Sequence, residues 1–138
     1  MKLWHLAWLL VLLLPQAAPA QEGRLTVELN KLEPTDGDGC SAFFLFRNEM
    51  GVNFAAFEMS IAVLNADGVI DRLLSVDAAP LPVARTTLKL FEIPQTACTD
   101  ISELIVHDIP ACQAENEAAM DCYPHIEWVS RAGIRFGQ

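Results

Sequence analysis

The chain has no Cys-x-x-Cys pair, no Gly-x-Ser-x-Gly elbow, no Asn-x-Ser/Thr sequon and no two adjacent basic residues. A thioredoxin-like redox centre and the common zinc spacings therefore have no support. A hydrolase of the elbow type lacks its nucleophile turn. Nucleic acid has no basic footprint to meet. The missing sequon favours a bacterial periplasm over a eukaryotic secretory route. No long stretch keeps a helical period, and no internal repeat or low-complexity run is visible.

What is present begins with the first twenty residues. Lys2 supplies a short positive start, Leu3 to Leu14 is apolar apart from His5, and Ala18-Pro19-Ala20 is a small-x-small cleavage site before Gln21. That is the layout of a secretory signal peptide. The apolar run of 12 residues falls short of the roughly 20 that a membrane-spanning helix needs. Cleavage between Ala20 and Gln21 is therefore expected, with no stable membrane anchor afterwards. No twin arginine precedes the run, so the general secretion route is expected. Residues 1–20 are read as a signal-peptide helix and 21–138 as one domain.

Residues 21–138 keep 8 basic and 18 acidic residues, because only Lys2 is lost, and the net charge moves from −9 to −10. Such a domain repels nucleic acid and anionic membranes. Solubility alone accounts for the acidity, and an acidic partner site is the sharper alternative.

Short strands and turns fill the domain. Leu25, Val27 and Leu29 alternate with polar residues, as in a half-buried strand. Pro34 to Gly39 is a turn-rich loop. Cys40 to Arg47 is apolar on both faces and predicts a central strand. Phe54 to Leu64 places Phe57, Met59, Ile61 and Val63 on one face. Asn65-Ala-Asp-Gly68 is a hairpin turn, from which Val69 to Val76 returns. Asp77 to Val83 holds two prolines and predicts a loop or covered edge. Ala84 to Ile93 is a strand with Leu88 and Leu90 alternating with Thr87, Lys89 and Phe91. A helical turn near Thr99 to Glu103 leads into a strand from Ile101 to Ile109, which Pro110 stops. Glu115 to Met120 predicts one helical turn. Ile126 to Phe136 closes the chain as a strand broken near Gly133. The expectation is an all-β, immunoglobulin-like sandwich of about seven antiparallel strands.

All four cysteines, Cys40, Cys98, Cys112 and Cys122, lie after the signal, and an even count in an exported domain predicts two disulfides. Alternating strand directions put Cys40 and Cys98 at one end of the sandwich and Cys112 and Cys122 at the other. Pairing Cys98 with Cys112 would span a strand of roughly 30 Å, against the ~7 Å limit between bridged Cα atoms. The expected bridges are Cys40–Cys98 and Cys112–Cys122.

Several constellations invite chemistry. Asp36-Gly-Asp38-Gly39 resembles part of a calcium loop, but the next odd position is Cys40, and a turn held by Asx hydrogen bonds accounts for the same residues. His107-Asp108 looks like half of a dyad, yet strand neighbours point to opposite faces. His107, His125, Met50, Met59 and Met120 are suitable copper ligands without a close cluster. Met59 has core filling as its default. No catalytic residue, metal or cofactor is therefore assigned. The loop between Cys112 and Cys122 carries Glu115, Glu117 and Asp121; a pinned acidic loop is a place to meet a partner, or a solvated turn.

Five segments carry a resemblance: Val27-Glu-Leu-Asn-Lys-Leu-Glu-Pro34, Cys40-Ser-Ala-Phe-Phe-Leu-Phe-Arg-Asn48, Asp67-Gly-Val-Ile70, Lys89-Leu-Phe-Glu-Ile93, and Cys98-Thr-Asp-Ile101 leading to His107-Asp-Ile109 and Cys112. Over residues 25–122 the chain resembles a family of small exported alphaproteobacterial proteins, sometimes labelled twin-arginine signal-sequence domain proteins. The resemblance implies a bacterial periplasmic or secreted setting and brings no catalytic residues. The stretch from Arg47-Asn48 to Asp67-Gly68 is similar to immunoglobulin-like accessory domains of bacterial envelope proteins.

The functional expectation is a non-enzymatic periplasmic or secreted module that binds another protein or an envelope component. The alternative is a hydrolase or metal-binding protein whose site is assembled from distant residues.

Overall fold

The computed structural model describes residues 23–138. The expected signal peptide and its Ala20/Gln21 cleavage point lie outside the described residues. Eight strands form in chain order: β1 Leu25–Pro34, β2 Cys40–Asn48, β3 Phe54–Leu64, β4 Ile70–Asp77, β5 Thr86–Ile93, β6 Glu103–Ala114, β7 Ile126–Ser130 and β8 Arg135–Gly137. They make two four-stranded sheets, β5-β2-β1-β7 and β4-β3-β6-β8.

The sheets pack face to face because their inward rows are apolar at every second position. Val27, Phe44 and Phe46 from one sheet and Phe57, Met59, Ile61 and Val106 from the other are buried in a single core. Phe46 meets Phe57 edge-on with ring centroids 6.0 Å apart, and Phe44 meets Phe136 at 5.4 Å. Each such side chain contributes about 1.5–3 kcal/mol by leaving water. β2 lies between β5 and β1, as its two apolar faces require.

The expected sandwich is present, with corrections that have physical causes. Among the described residues there are eight strands where about seven were expected, and two of the neighbouring pairs are parallel, β1 with β7 and β6 with β8. The final segment does not merely break. At Ala132-Gly133, where Gly133 takes φ +79°, the chain leaves the first sheet and enters the second. Gly137 takes φ +124°, and a Cβ there would sit 2.7 Å from that of Trp128, so the indole packs directly on the β8 backbone.

Pro110 does not stop its strand. Glu58 pairs with Ala111 and Ser60 with Asp108, leaving Met59 opposite both Ile109 and Pro110. This bulge needs no N–H from Pro110, and β6 continues to Ala114. β1 likewise passes a shift between Leu29 and Lys31 and reaches Pro34. The expected helical turn near Thr99–Glu103 is a 3-10 turn at Cys98–Asp100. Glu115 to Met120 is not helical: Gln113 bridges Ala119, and Asn116 takes φ +60° to close a small hairpin. The Asp77–Val83 loop is covered, with Ala78 and Leu81 buried and Leu81 bridging Phe54.

Both disulfides form as expected. Cys40–Cys98 has a Cα separation of 5.0 Å and Cys112–Cys122 one of 6.1 Å. They sit at opposite ends. One end holds residues 35–39, 65–69, 94–102 and 131–134. The other holds residues 23–24, 49–53, 78–85 and 115–125.

Candidate functional site

The second of these ends is assembled by two asparagines. Asn48, at the end of β2, is buried to 1% exposure. Its amide donates to the carbonyls of Val52 and Leu81 at 2.8 and 2.9 Å, and its side-chain oxygen accepts from the Met50 N–H at 3.0 Å. Its main chain receives the Ala84 N–H and donates to the Arg85 carbonyl. Asn53 accepts from the Val83 N–H at 2.8 Å and donates to Glu115 Oε2 at 3.1 Å. Three loops distant in sequence thus become one surface with satisfied polar groups.

Over this frame lies an open cleft of about 1250 Å³ lined by Gly23, Arg24, Arg47 to Glu49, Gly51, Val83 to Thr86 and Glu127. A smaller hollow of about 130 Å³ adjoins it at Arg24, Pro124, His125 and Ile126. Three arginines face the cleft in a strongly acidic chain. Arg47 pairs with Thr86 on one side and Thr26 on the other, so strand register draws the three positions together.

Their states differ. Arg24 makes an exposed pair with Glu127 at 3.6 Å, of little energetic consequence. Arg47 donates to Glu28 Oε2 at 2.8 Å. Among the described residues Arg85 makes no ion pair, whereas Arg24, Arg47, Arg72, Arg131 and Arg135 each have a carboxylate within 4 Å. The residue before it, Ala84, takes φ +56°, a left-handed conformation costing a non-glycine residue about 1 kcal/mol. Its hydrogen bond to Asn48 at 2.9 Å holds that conformation in place. Strain fixed by a surrounding hydrogen-bond frame is characteristic of functional loops.

Beneath the cleft, on the outer face of the first sheet, Glu28 is buried to 1% exposure. Asn30 donates to it at 2.7 Å, Arg47 at 2.8 Å, and Arg131 lies 3.4 Å away. The Asn30 hydrogen bond first, then Arg47 and Arg131, hold its carboxyl below the usual range against the opposing effect of burial. On the same face Lys31 covers Phe43, 4.3 Å from the ring centroid. Leu88 and Leu90 stay 60% and 53% exposed, because β5 turns Thr87, Lys89 and Phe91 inward instead.

The constellations suggested by sequence fall elsewhere. Thr35 Oγ1 accepts from the Gly39 N–H at 3.1 Å and the Gly37 N–H at 3.4 Å, so a threonine hydroxyl, not an Asx side chain, holds the Asp36–Gly39 turn. Asp36 and Asp38 point to solvent. Among the described residues no three His, Cys, Asp or Glu side chains group closely enough to hold a metal ion. The suggested copper ligands are dispersed: Met59 is in the core, His107 on the outer face of the second sheet, Met50 against the core edge, Met120 exposed and His125 beside Arg24.

His107 does not meet Asp108, which accepts from its neighbour's Ile109 N–H. It meets Ser60 instead, Nε2 to Oγ 2.7 Å. The pair is exposed, and none of the cleft or hollow residues above belongs to it. In the Cys112–Cys122 loop, Glu115 binds Asn53 and Asp121 accepts from the Tyr123 N–H at 3.1 Å, while the Glu117 carboxylate has no such contact among the described residues.

The arginine cleft has no signature in the linear sequence. Arg24, Arg47 and Arg85 are isolated along the chain, and nothing short of the strand register brings them together.

No protein-family profile and no curated protein matches the chain. Among solved structures it is similar to that of IrmA from Escherichia coli, with a TM-score of 0.59 and 11% identity over 77% of this chain and 91% of that one. At that identity the likeness concerns the fold alone, and it agrees with the two-sheet all-β architecture. Two disulfides are consistent with an oxidising periplasmic or secreted location.

Proposed function

We propose that the chain is an exported, non-enzymatic binding module of the bacterial envelope or its surroundings. The signal-like first twenty residues and the two bridges support export, and the resemblance to small exported alphaproteobacterial proteins points the same way. The observation that carries the binding role is the Asn48 end. Its loops are locked by long-range hydrogen bonds, so a rigid recognition surface is presented without an ordering cost on binding. Immunoglobulin-like sandwiches use clustered end loops in this manner.

The test is capture from envelope extract on the immobilised mature domain, alongside metal analysis of the purified protein. A retained protein that competes with free mature domain supports the module. Stoichiometric metal with no retained component contradicts it.

One observation favours a second reading: the 2.7 Å Ser60–His107 contact is the nucleophile–base distance of a hydrolase. Activated-ester hydrolysis abolished by Ser60→Ala would establish it. Hydrolysis no faster than buffer for both proteins would remove it.

A further inference from the structure

The arginine cleft reaches the outer face of β5 at Thr86, which is part of its lining. Thr86 faces outward in register with Arg47, and Leu88 and Leu90 follow on the same face of β5. At ~3.4 Å per residue, the two leucines lie about 7 and 14 Å from the Thr86 row. An extended segment of about five residues covers that distance.

The surface is mixed in a way that restricts its ligand. Among the described residues Arg85 brings a guanidinium without a carboxylate partner, and Arg47 uses Nη1 on Glu28 and makes no other side-chain hydrogen bond. Guanidinium forks take carboxylates by paired hydrogen bonds. A free inorganic anion would leave the leucines wet, and an apolar chain would leave Arg85 unanswered. The open volume of about 1250 Å³ exceeds that of an enclosed small-molecule pocket. The domain's overall negative charge repels a uniformly acidic partner. The fitting ligand therefore carries its acid locally, as one or two carboxylates next to apolar side chains.

We infer that this surface binds an extended peptide segment of a partner protein, with Asp or Glu on Arg85 and Arg47 and alternating apolar side chains on Leu88 and Leu90. The inference rests on the binding-module reading and adds the site and the ligand class.

The test is a random peptide display library panned on the intact mature domain, followed by fluorescence anisotropy of the selected peptide. Enriched sequences should place Asp or Glu a few residues from alternating apolar positions. Arg85→Glu should weaken the peptide at least about tenfold, as expected when one side of a charge pair is reversed. Leu88→Ser should weaken it several-fold, and Asp36→Asn at the opposite end should leave it unchanged. Circular dichroism of each variant keeps misfolding apart from lost contact. Arg85→Glu lies on an exposed loop, and Arg85→Gln serves as a milder second variant.

Selected peptides without acids, or unaffected by Arg85→Glu and Arg85→Gln, would overturn the site while leaving the binding module standing. An empty selection, or displacement of the peptide by inorganic phosphate with no contribution from Leu88, would overturn the peptide as ligand. Stoichiometric metal or Ser60-dependent hydrolysis would instead bring down the broader reading.

Discussion

The two ends of the sandwich are closed in different ways. At the Cys40 end, turns are held by their own side chains. Thr35 caps the 35–39 turn, and Asn65 accepts from the Asp67 and Val69 N–H groups at 3.0 and 3.1 Å. The Cys40–Cys98 bridge ties that end across 58 positions, and there Ser102 Oγ donates to the Asn65 carbonyl and Arg72 to the Pro94 carbonyl, both at 2.5 Å. At the Asn48 end the bridge is local, across 10 positions, and the long-range work falls to hydrogen bonds of Asn48 and Asn53. The long covalent tie is thus at one end and the buried asparagine frame at the other, and the cleft lies over the frame.

Removing the bridges tests the contrast most strongly. Replacing Cys40 and Cys98 by Ala should cost about 4 kcal/mol in urea unfolding, and replacing Cys112 and Cys122 about 3, since denatured-chain entropy grows with the closed loop. Equal losses would show that loop length does not set the difference.

Asn48→Ala should cost about 2–3 kcal/mol, because it strands the buried carbonyl of Leu81 and the part-buried carbonyl of Val52. Asn65→Ala, in a local and solvent-reached turn, should cost about 1 kcal/mol. Thermal unfolding of the pair reads this directly, and a larger loss at Asn65 would reverse the assignment of the two ends.

Glu28 joins the ends, since Arg47 borders the cleft and Arg131 follows β7 at the opposite end. Its folded pKa is lowered. The stabilisation from its charge is therefore fully present above the ordinary carboxylate range and fades as pH falls through the lower folded value. Glu28→Gln should be less stable than wild type by about 1 kcal/mol at neutral pH, both arginines being solvent-reached. The gap should close in acid. A gap that persists at low pH would mean that packing, not charge, is what Glu28 supplies.

The same contrast explains what could be read from sequence. The Asn65–Gly68 turn was legible because its chemistry lies within four residues. The disulfide pairing was legible because alternating strand directions fix which end each cysteine reaches. Pro110 was misread as a stop because the bulge that admits it depends on Met59 across the sheet. The break at Gly133 was visible, but its consequence, passage between sheets, depends on a vacant position beside β6. Leu88 and Leu90 fit either face of β5, and only pairing with β2 turns them outward. The cleft was illegible for the same reason: Arg24, Arg47 and Arg85 meet through register, and Asn48 gives no local sign of its five hydrogen bonds.

Amide chemical-shift mapping of residues 21–138, titrated with the peptide selected on the wild-type protein, tests most directly whether the hydrogen-bonded end is the recognition end. The expected shifts cluster at Arg47 to Glu49 and from Ala84 to Leu90, with the 35–39 and 65–69 turns still. Shifts centred on those turns, or on Ser60 and His107, would contradict it.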